Sequence, residues 1–425
     1  MTTSLAIAAP AAAALSTVSR RLRPLFVGVA MQNFLLWVPV EKMFMTEIGF
    51  DAAAIGVVAA VYAAVVPLLE VPFGVLADRW SRTGMMIAST LALAASSLVG
   101  GLSTNPGIYA VAAVLLGVFF ALDSGMADSI VYDTVVEQTG CGTSYEKWIG
   151  KLHAVEAAAL VASALLGGLL AAVTSARTDY FITVPVVLTA IVALRRCREP
   201  QLHRTAERVS FRRQAGATLR ALTAGRAVRR VVLLTALAAA TAQVIFEFGP
   251  LWLVTLHAPA ALYGPYWAAL VATVGVGAWS ASRLPLDRLA GAATVGGVLL
   301  VAAVLPNVSR TLPIVITAQI LVALAVAVIG VRAGYLLHDA VSANIRGGVS
   351  SGASTLSWLA FLPLSLLFGW LSRGHGVQSA GWLLAVVAAA AAVLLVRTAH
   401  HPAQGQPSTA ADATPCPDAP ALAIA

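Results

Sequence analysis

Gly74-Val75-Leu76-Ala77-Asp78-Arg79-Trp80-Ser81-Arg82 sets one acid and two arginines between two long apolar runs, 53–75 and 84–103. Hydrocarbon rejects such charges. If both runs cross a membrane, the stretch is a short charged hairpin at one membrane face, and the fold follows from how many more such runs the chain holds.

The composition supports a membrane setting. The 425 residues are 59% hydrophobic and only 11% charged, with mean hydropathy +0.85, more apolar surface than a water-soluble globule can hide. A helix needs about 20 consecutive apolar residues to cross the hydrocarbon core. Twelve windows of that kind occur, roughly 24–45, 53–75, 84–103, 107–129, 152–174, 179–195, 231–256, 262–281, 289–306, 311–333, 349–371 and 378–397. They are apolar all round instead of alternating, which excludes a β-barrel. The expected fold class is an all-α polytopic membrane protein with 12 transmembrane helices in two pseudo-symmetric six-helix bundles.

Charge sets the expected orientation. Of 27 Lys and Arg residues, 11 lie between Arg195 and Arg230, and only Lys42, Arg177, Arg310 and Arg373 fall on the side opposite the hairpin. The positive-inside rule then places both termini in the cytoplasm and the chain in the cell (inner) membrane. The net charge of +8 points to anionic lipid and not to nucleic acid, since no folded basic module surrounds the arginines. Five segments are expected: a cytoplasmic tail over 1–23, a six-helix bundle over 24–195, a basic central loop over 196–230, a second bundle over 231–397 and a disordered cytoplasmic tail over 398–425. Within the central loop, Phe211, Ala215, Leu219 and Leu222 recur at helical spacing, compatible with a surface helix on the inner leaflet or with a solvated linker. Cys141, Cys197 and Cys416 are odd in number and imply no disulfide framework or zinc site.

The halves read as repeats. Asp78-Arg79 recurs as Asp287-Arg288 and Gly125 as Gly334, both at an offset of 209 residues. Repeated halves meeting around a midplane site are an architecture of secondary transporters.

On these residues the chain resembles the major facilitator superfamily. Glu70-x-Pro72-x-Gly74-x-x-Ala77-Asp78-Arg79-x-x-Arg82 is similar to the family's signature loop between spans two and three, and the six-plus-six layout over 24–397 is similar to its architecture. Ser81 stands where the family usually has Gly, and Thr83 where it often has a base. The resemblance implies a gating latch. Asp78 would accept hydrogen bonds from amides opening the eleventh span near 347–351, and Arg79 and Arg82 would pair with an acid at the inner end of the fourth span. The plainer alternative is that these charges only anchor a tight turn.

Other polar residues in the spans are the candidate site. Asp123 and Asp128 lie five apart, about 140° around a continuous helix. Asp123 is assigned to the central cavity and Asp128 to the signature-loop arginines, with Asp133 as its competitor. Arg332 occupies the repeat position of Asp123, so the two could face each other across the cavity and respond to protonation; otherwise Arg332 snorkels to headgroups. Glu247 is a further candidate for proton coupling. Gln32, Asn33 and Gln243 are candidate substrate contacts, because the resemblance implies that spans one, four, seven and ten line the cavity; simple helix ties are the alternative. Trp252, Trp267 and Trp358 line the pathway or anchor span ends. Glu41-Lys42 defaults to headgroup contact, with an outer-gate role as alternative. His153 and Glu156 share a face, but one HxxE pair is a poor metal signal. No metal, cofactor or nucleotide-binding loop is expected.

The glycine pair Gly167-Gly168 matches part of a motif found in the fifth span of the family's drug:proton antiporters, although the Gly-Pro that precedes it there is absent here. The expected function is secondary active transport of a small organic compound by alternating access, with proton-coupled efflux as lead. An importer, or a membrane enzyme or scaffold on the same fold, is the alternative. Expected partners are a small-molecule substrate, protons and membrane lipid, with no nucleic acid, and the protein is expected to be a monomer.

Overall fold

The structure is a computed structural model describing residues 3–140, 144–200, 225–339 and 346–399, with side chains described except at 3–15, 71, 75, 78, 79, 227, 338 and 346–351. Fourteen α-helices run through the described residues. In the first half they are α1 (Thr3–Gln32), α2 (Glu41–Glu47), α3 (Ala52–Arg79), α4 (Arg82–Leu102), α5 (Pro106–Asp123), α6 (Met126–Thr139), α7 (Tyr145–Val173) and α8 (Ala176–Leu194). In the second half they are α9 (Arg226–Thr255), α10 (Tyr263–Ala281), α11 (Leu289–Val308), α12 (Leu312–Asp339), α13 (Arg346–His375) and α14 (Val377–Ala399). The proposed surface helix in the central loop and the tail from His400 lie outside the described residues.

Local chemistry sets several starts. Asp51, Ser81, Asn105 and Ser175 each accept a backbone N–H three residues on, opening α3, α4, α5 and α8, as N-caps do. Eleven stretches among the described residues are long and apolar enough to cross a membrane. Their outward faces carry Leu68, Val173 and Val386, each at least 66% exposed, the surface that lipid covers.

Two expected spans are not single helices. The first, 24–45, breaks after α1: Asn33 to Trp37 leave helical geometry, a short 3-10 turn covers Val38–Val40, and α2 resumes at Glu41. Asn33 Nδ2 donates to the Val29 carbonyl at 3.0 Å, closing α1, and the Leu36 N–H donates to Thr183 Oγ1 at 3.2 Å, so a side chain of α8 satisfies backbone that the helix abandons. The fourth span breaks at Ser124-Gly125, where Gly125 takes φ +68° and separates α5 from α6. Its repeat equivalent Gly334 lies inside the unbroken α12.

The halves meet along α3 with α13 and along α7 with α10. Contact is tightest at the end bearing the loops 48–51, 174–175 and 376. There a Cβ on Gly56 would lie 2.5 Å from the Ser365 carbonyl oxygen, and one on Gly168 would lie 2.5 Å from the Gly264 nitrogen. A shared core of Trp37, Val40, Phe44, Phe248, Trp252, Phe361 and Phe368 seals this end. The opposite end carries the Asp78-Arg79 hairpin.

Candidate functional site

On the hairpin side of that seal lies an open-mouthed cavity of about 270 Å³, bounded by α3, α5, α6, α7 and α13. Among the described residues its lining includes four acids, Glu70, Asp123, Asp128 and Glu156, two aromatic residues, Phe120 and Trp358, and no base. The helix break at Ser124-Gly125 puts Asp123 and Asp128 on one wall: it resets the helical phase, so the angle expected for a continuous helix does not apply. Asp123 sits 3.3 Å from the hydroxyl of Ser89, and Ser124 donates to Glu70 at 2.9 Å. Glu156 pairs with His153 at 2.8 Å.

The floor of the cavity is aromatic. Trp358 contacts Phe120 at 6.2 Å and Tyr62 at 6.1 Å between ring centroids, and Tyr62 reaches Phe361 at 6.4 Å. Tyr62, Val66 and Glu70 recur every four residues along one face of α3, so a single helix carries the floor, the wall and the rim.

Beyond that floor lies a buried ion cluster joining the two halves. Lys42 Nζ donates to Glu41 Oε2 at 2.9 Å and to Glu247 Oε1 of α9. The side chains of Lys42, Glu41 and Glu247 are 3%, 16% and 13% exposed. Tyr62 donates to Glu247 Oε2 at 2.6 Å, Tyr109 donates to Glu41 Oε1 at 2.6 Å, and the Tyr109 and Tyr180 hydroxyls meet at 2.8 Å. Both carboxylates and the ammonium are thus paired and hydrogen-bonded, the condition under which charge survives burial. Farther out, Arg373 and Asp51 form an exposed pair across the halves at 3.2 Å.

The sequence profile described as Major Facilitator Superfamily matches residues 24–306. The chain belongs to the major facilitator superfamily. Solved structures with the same fold include the nucleoside transporter NupG, at 12% identity and TM-score 0.71 over 90% of this chain and 99% of that one. A bacterial homologue of the human lysosomal transporter Spinster, inward-facing and unoccupied, matches at 16% identity and TM-score 0.66 over 91% and 94%. The human organic anion transporter MFSD10 (TETRAN) matches at 16% and 0.58 over 89% and 99%. No curated protein matches the sequence. Members of this superfamily are transporters and not enzymes, and this chain is a multi-pass member.

Within that superfamily fold the expected site residues separate. Glu70 and Asp128 line the cavity, and Arg82 Nη1 meets Asp133, the competing acid, at 2.6 Å. The side chains of Asp78 and Arg79 and the start of α13 lie outside the described side chains, and among the described residues nothing lies within 4 Å of a Cβ on Gly74. Asp123 and Arg332 form no ion pair; Arg332 instead stacks over Tyr335 at 5.5 Å. Gln32 is 2% exposed and bonds the Met86 carbonyl, Ser89 and Thr90 of α4, which makes it a tie between helices, and Asn33 closes α1. Gln243 keeps a free buried Oε1 among the described residues, as Gln319 does, and these remain candidate contacts. Glu247 belongs to the ion cluster and not to the cavity lining, and Lys42 bonds protein carboxylates, not headgroups.

Sequence reasoning missed Glu199. Its carboxylate accepts from the Ser81 hydroxyl at 2.7 Å and from the Arg82 N–H, pinning the start of the central loop to the hairpin. Ser81 Oγ also accepts from the Gly84 N–H at 2.9 Å. The departure from the family's glycine is therefore an N-cap, and its signal was the Ser placed ahead of an apolar run.

Proposed function

We propose that the protein is a proton-coupled secondary transporter exporting small, mostly apolar organic compounds by alternating access, with the hairpin end facing the cytoplasm. One observation carries this reading: among the described residues, the cavity between the halves has an aromatic floor and a lining of four acids without a base. Such a lining repels anions, so the cargo is neutral or positively charged, and a carboxyl such as Asp123 can exchange a proton against it. The similar structures carry nucleosides, organic anions or, in the D-xylose–proton symporter, a sugar, so the cargo is read from this cavity and not from theirs. Glu70, Gly74, Asp78, Arg79 and Arg82 form the cytoplasmic gate, and Asp123 is the proton site of the cavity, with Gln243 as a substrate contact. Basic residues concentrate at the hairpin end, which supports the orientation.

Proteoliposomes with an imposed proton gradient test this. A panel of amphipathic organic cations and neutral compounds should elicit substrate-dependent proton movement, and Asp123→Asn should abolish it while leaving the protein folded. Proton movement unchanged in Asp123→Asn would overturn the assignment of that residue.

A further inference from the structure

The ion cluster contains two carboxylates and one ammonium, and the interface between the halves runs through it. Glu41 and Lys42 belong to the first half, Glu247 to the second. We propose that Glu247 is a proton-binding site whose occupancy sets whether the sealed end opens, and that Lys42 is the internal cation competing with the proton for it.

The argument is electrostatic. While Glu247 is ionised, Lys42 bridges the halves and holds the end shut. A proton on Glu247 removes that attraction, and Lys42 remains neutralised by Glu41, its neighbour in the same half. The first half then keeps a balanced pair and the second a neutral carboxyl, so the halves part without stranding a buried charge. Tyr62 and Tyr109 suit the exchange, since each hydroxyl holds one carboxylate while Lys42 shifts between them. Sealing the end therefore requires Glu247 to release its proton. In sign, high pH favours the sealed state and low pH the open one.

The groups facing Glu247 are few. Lys42 and Glu41 come from α2 and Tyr62 from α3, with Tyr109 of α5 and Tyr180 of α8 behind them. Among the described residues α10 adds Tyr266, which lies against Gly249, and α12, α13 and α14 carry their charged groups toward their ends. The exposed Asp51–Arg373 pair also crosses the interface, but solvent and salt screen it.

The use of this site in transport rests on the proton-coupled reading; the gate itself does not, and its test requires no substrate. Spin labels at Thr174→Cys and His375→Cys, with Cys141, Cys197 and Cys416 replaced by Ser, report the width of the sealed end by double electron–electron resonance in nanodiscs. In the otherwise unaltered protein the distance should lengthen as pH falls, and an Asp51→Asn background should preserve that response. Glu247→Gln should give the long distance at every pH. Lys42→Gln should invert the response, because two facing carboxylates repel at high pH and are neutralised at low pH. A Lys42→Gln variant that keeps the original direction, or a Glu247→Gln variant still closing at high pH, overturns the proposal. Failure of proton flux with the inversion intact would instead count against the transport reading alone.

Discussion

Gly167 touches Leu36 where no side chain fits: a Cβ there would lie 2.0 Å from the Leu36 carbonyl oxygen. The broken first span can pass α7 only because of that glycine. Its neighbour Gly168 does the same job across the halves, against Gly264. Adjacent glycines thus serve two different interfaces, and alanine should separate them. Gly167→Ala should lower the unfolding midpoint, since the overpacking, about 1–3 kcal/mol, falls inside one half. Gly168→Ala should leave that midpoint near wild type and shift the halves toward the open end by about 5- to 150-fold, as read by the same spin-label distance.

Arg82 and Asp133 are 14% and 6% exposed, so removing Asp133 breaks a largely buried ion pair. Asp133→Ala should cost about 3–5 kcal/mol in detergent thermal unfolding. Asp128→Asn, on the cavity wall, should leave stability near wild type and alter transport instead.

Gly125 and Gly334 occupy repeat-equivalent positions but differ in backbone. Gly125→Ala forces a side chain into a left-handed conformation, with no described residue within 4 Å to clash, so the cost is backbone strain, about 1–2 kcal/mol. Gly334→Ala lies in continuous helix and should stabilise by up to about 1 kcal/mol. Opposite shifts in unfolding midpoint are the expected result.

Ser81→Ala should lose the N-cap of α4, about 1 kcal/mol, whereas Ser81→Gly should lose only a few tenths. Glu199→Ala should speed amide hydrogen exchange at Arg82, whose N–H it holds, without changing exchange at the Asn105 cap.

The twelve-span layout was legible because hydrocarbon thickness imposes one length on every crossing. The interruption at Asn33 to Trp37 was not, since those residues are as apolar as their flanks; only the Asn and the following Pro39 hinted at it. The shared wall of Asp123 and Asp128 was not legible, because the angle of about 140° between them is counted through a left-handed glycine, Gly125. The pairing of Lys42 with Glu247, 205 residues apart, leaves no local pattern. One rule could have found it: a lysine in an apolar span needs an acid, and the seventh span offers Glu247.

The aromatic floor formed by Tyr62, Phe120, Trp358 and Phe361 also works as an electrical insulator. With the cavity open to the cytoplasm as proposed, water filling it would carry that compartment's potential up to those rings, and Asp123 would lie outside most of the transmembrane field. Glu247 and Lys42, beyond the rings, would lie within it. A full elementary charge crossing 100 mV changes energy by about 2.3 kcal/mol, and charge moved at the ion cluster feels a share of that. Voltage should therefore bias the sealed end and leave the titration of the cavity acids untouched, making the two carboxyl sites respond to different parts of one proton-motive force.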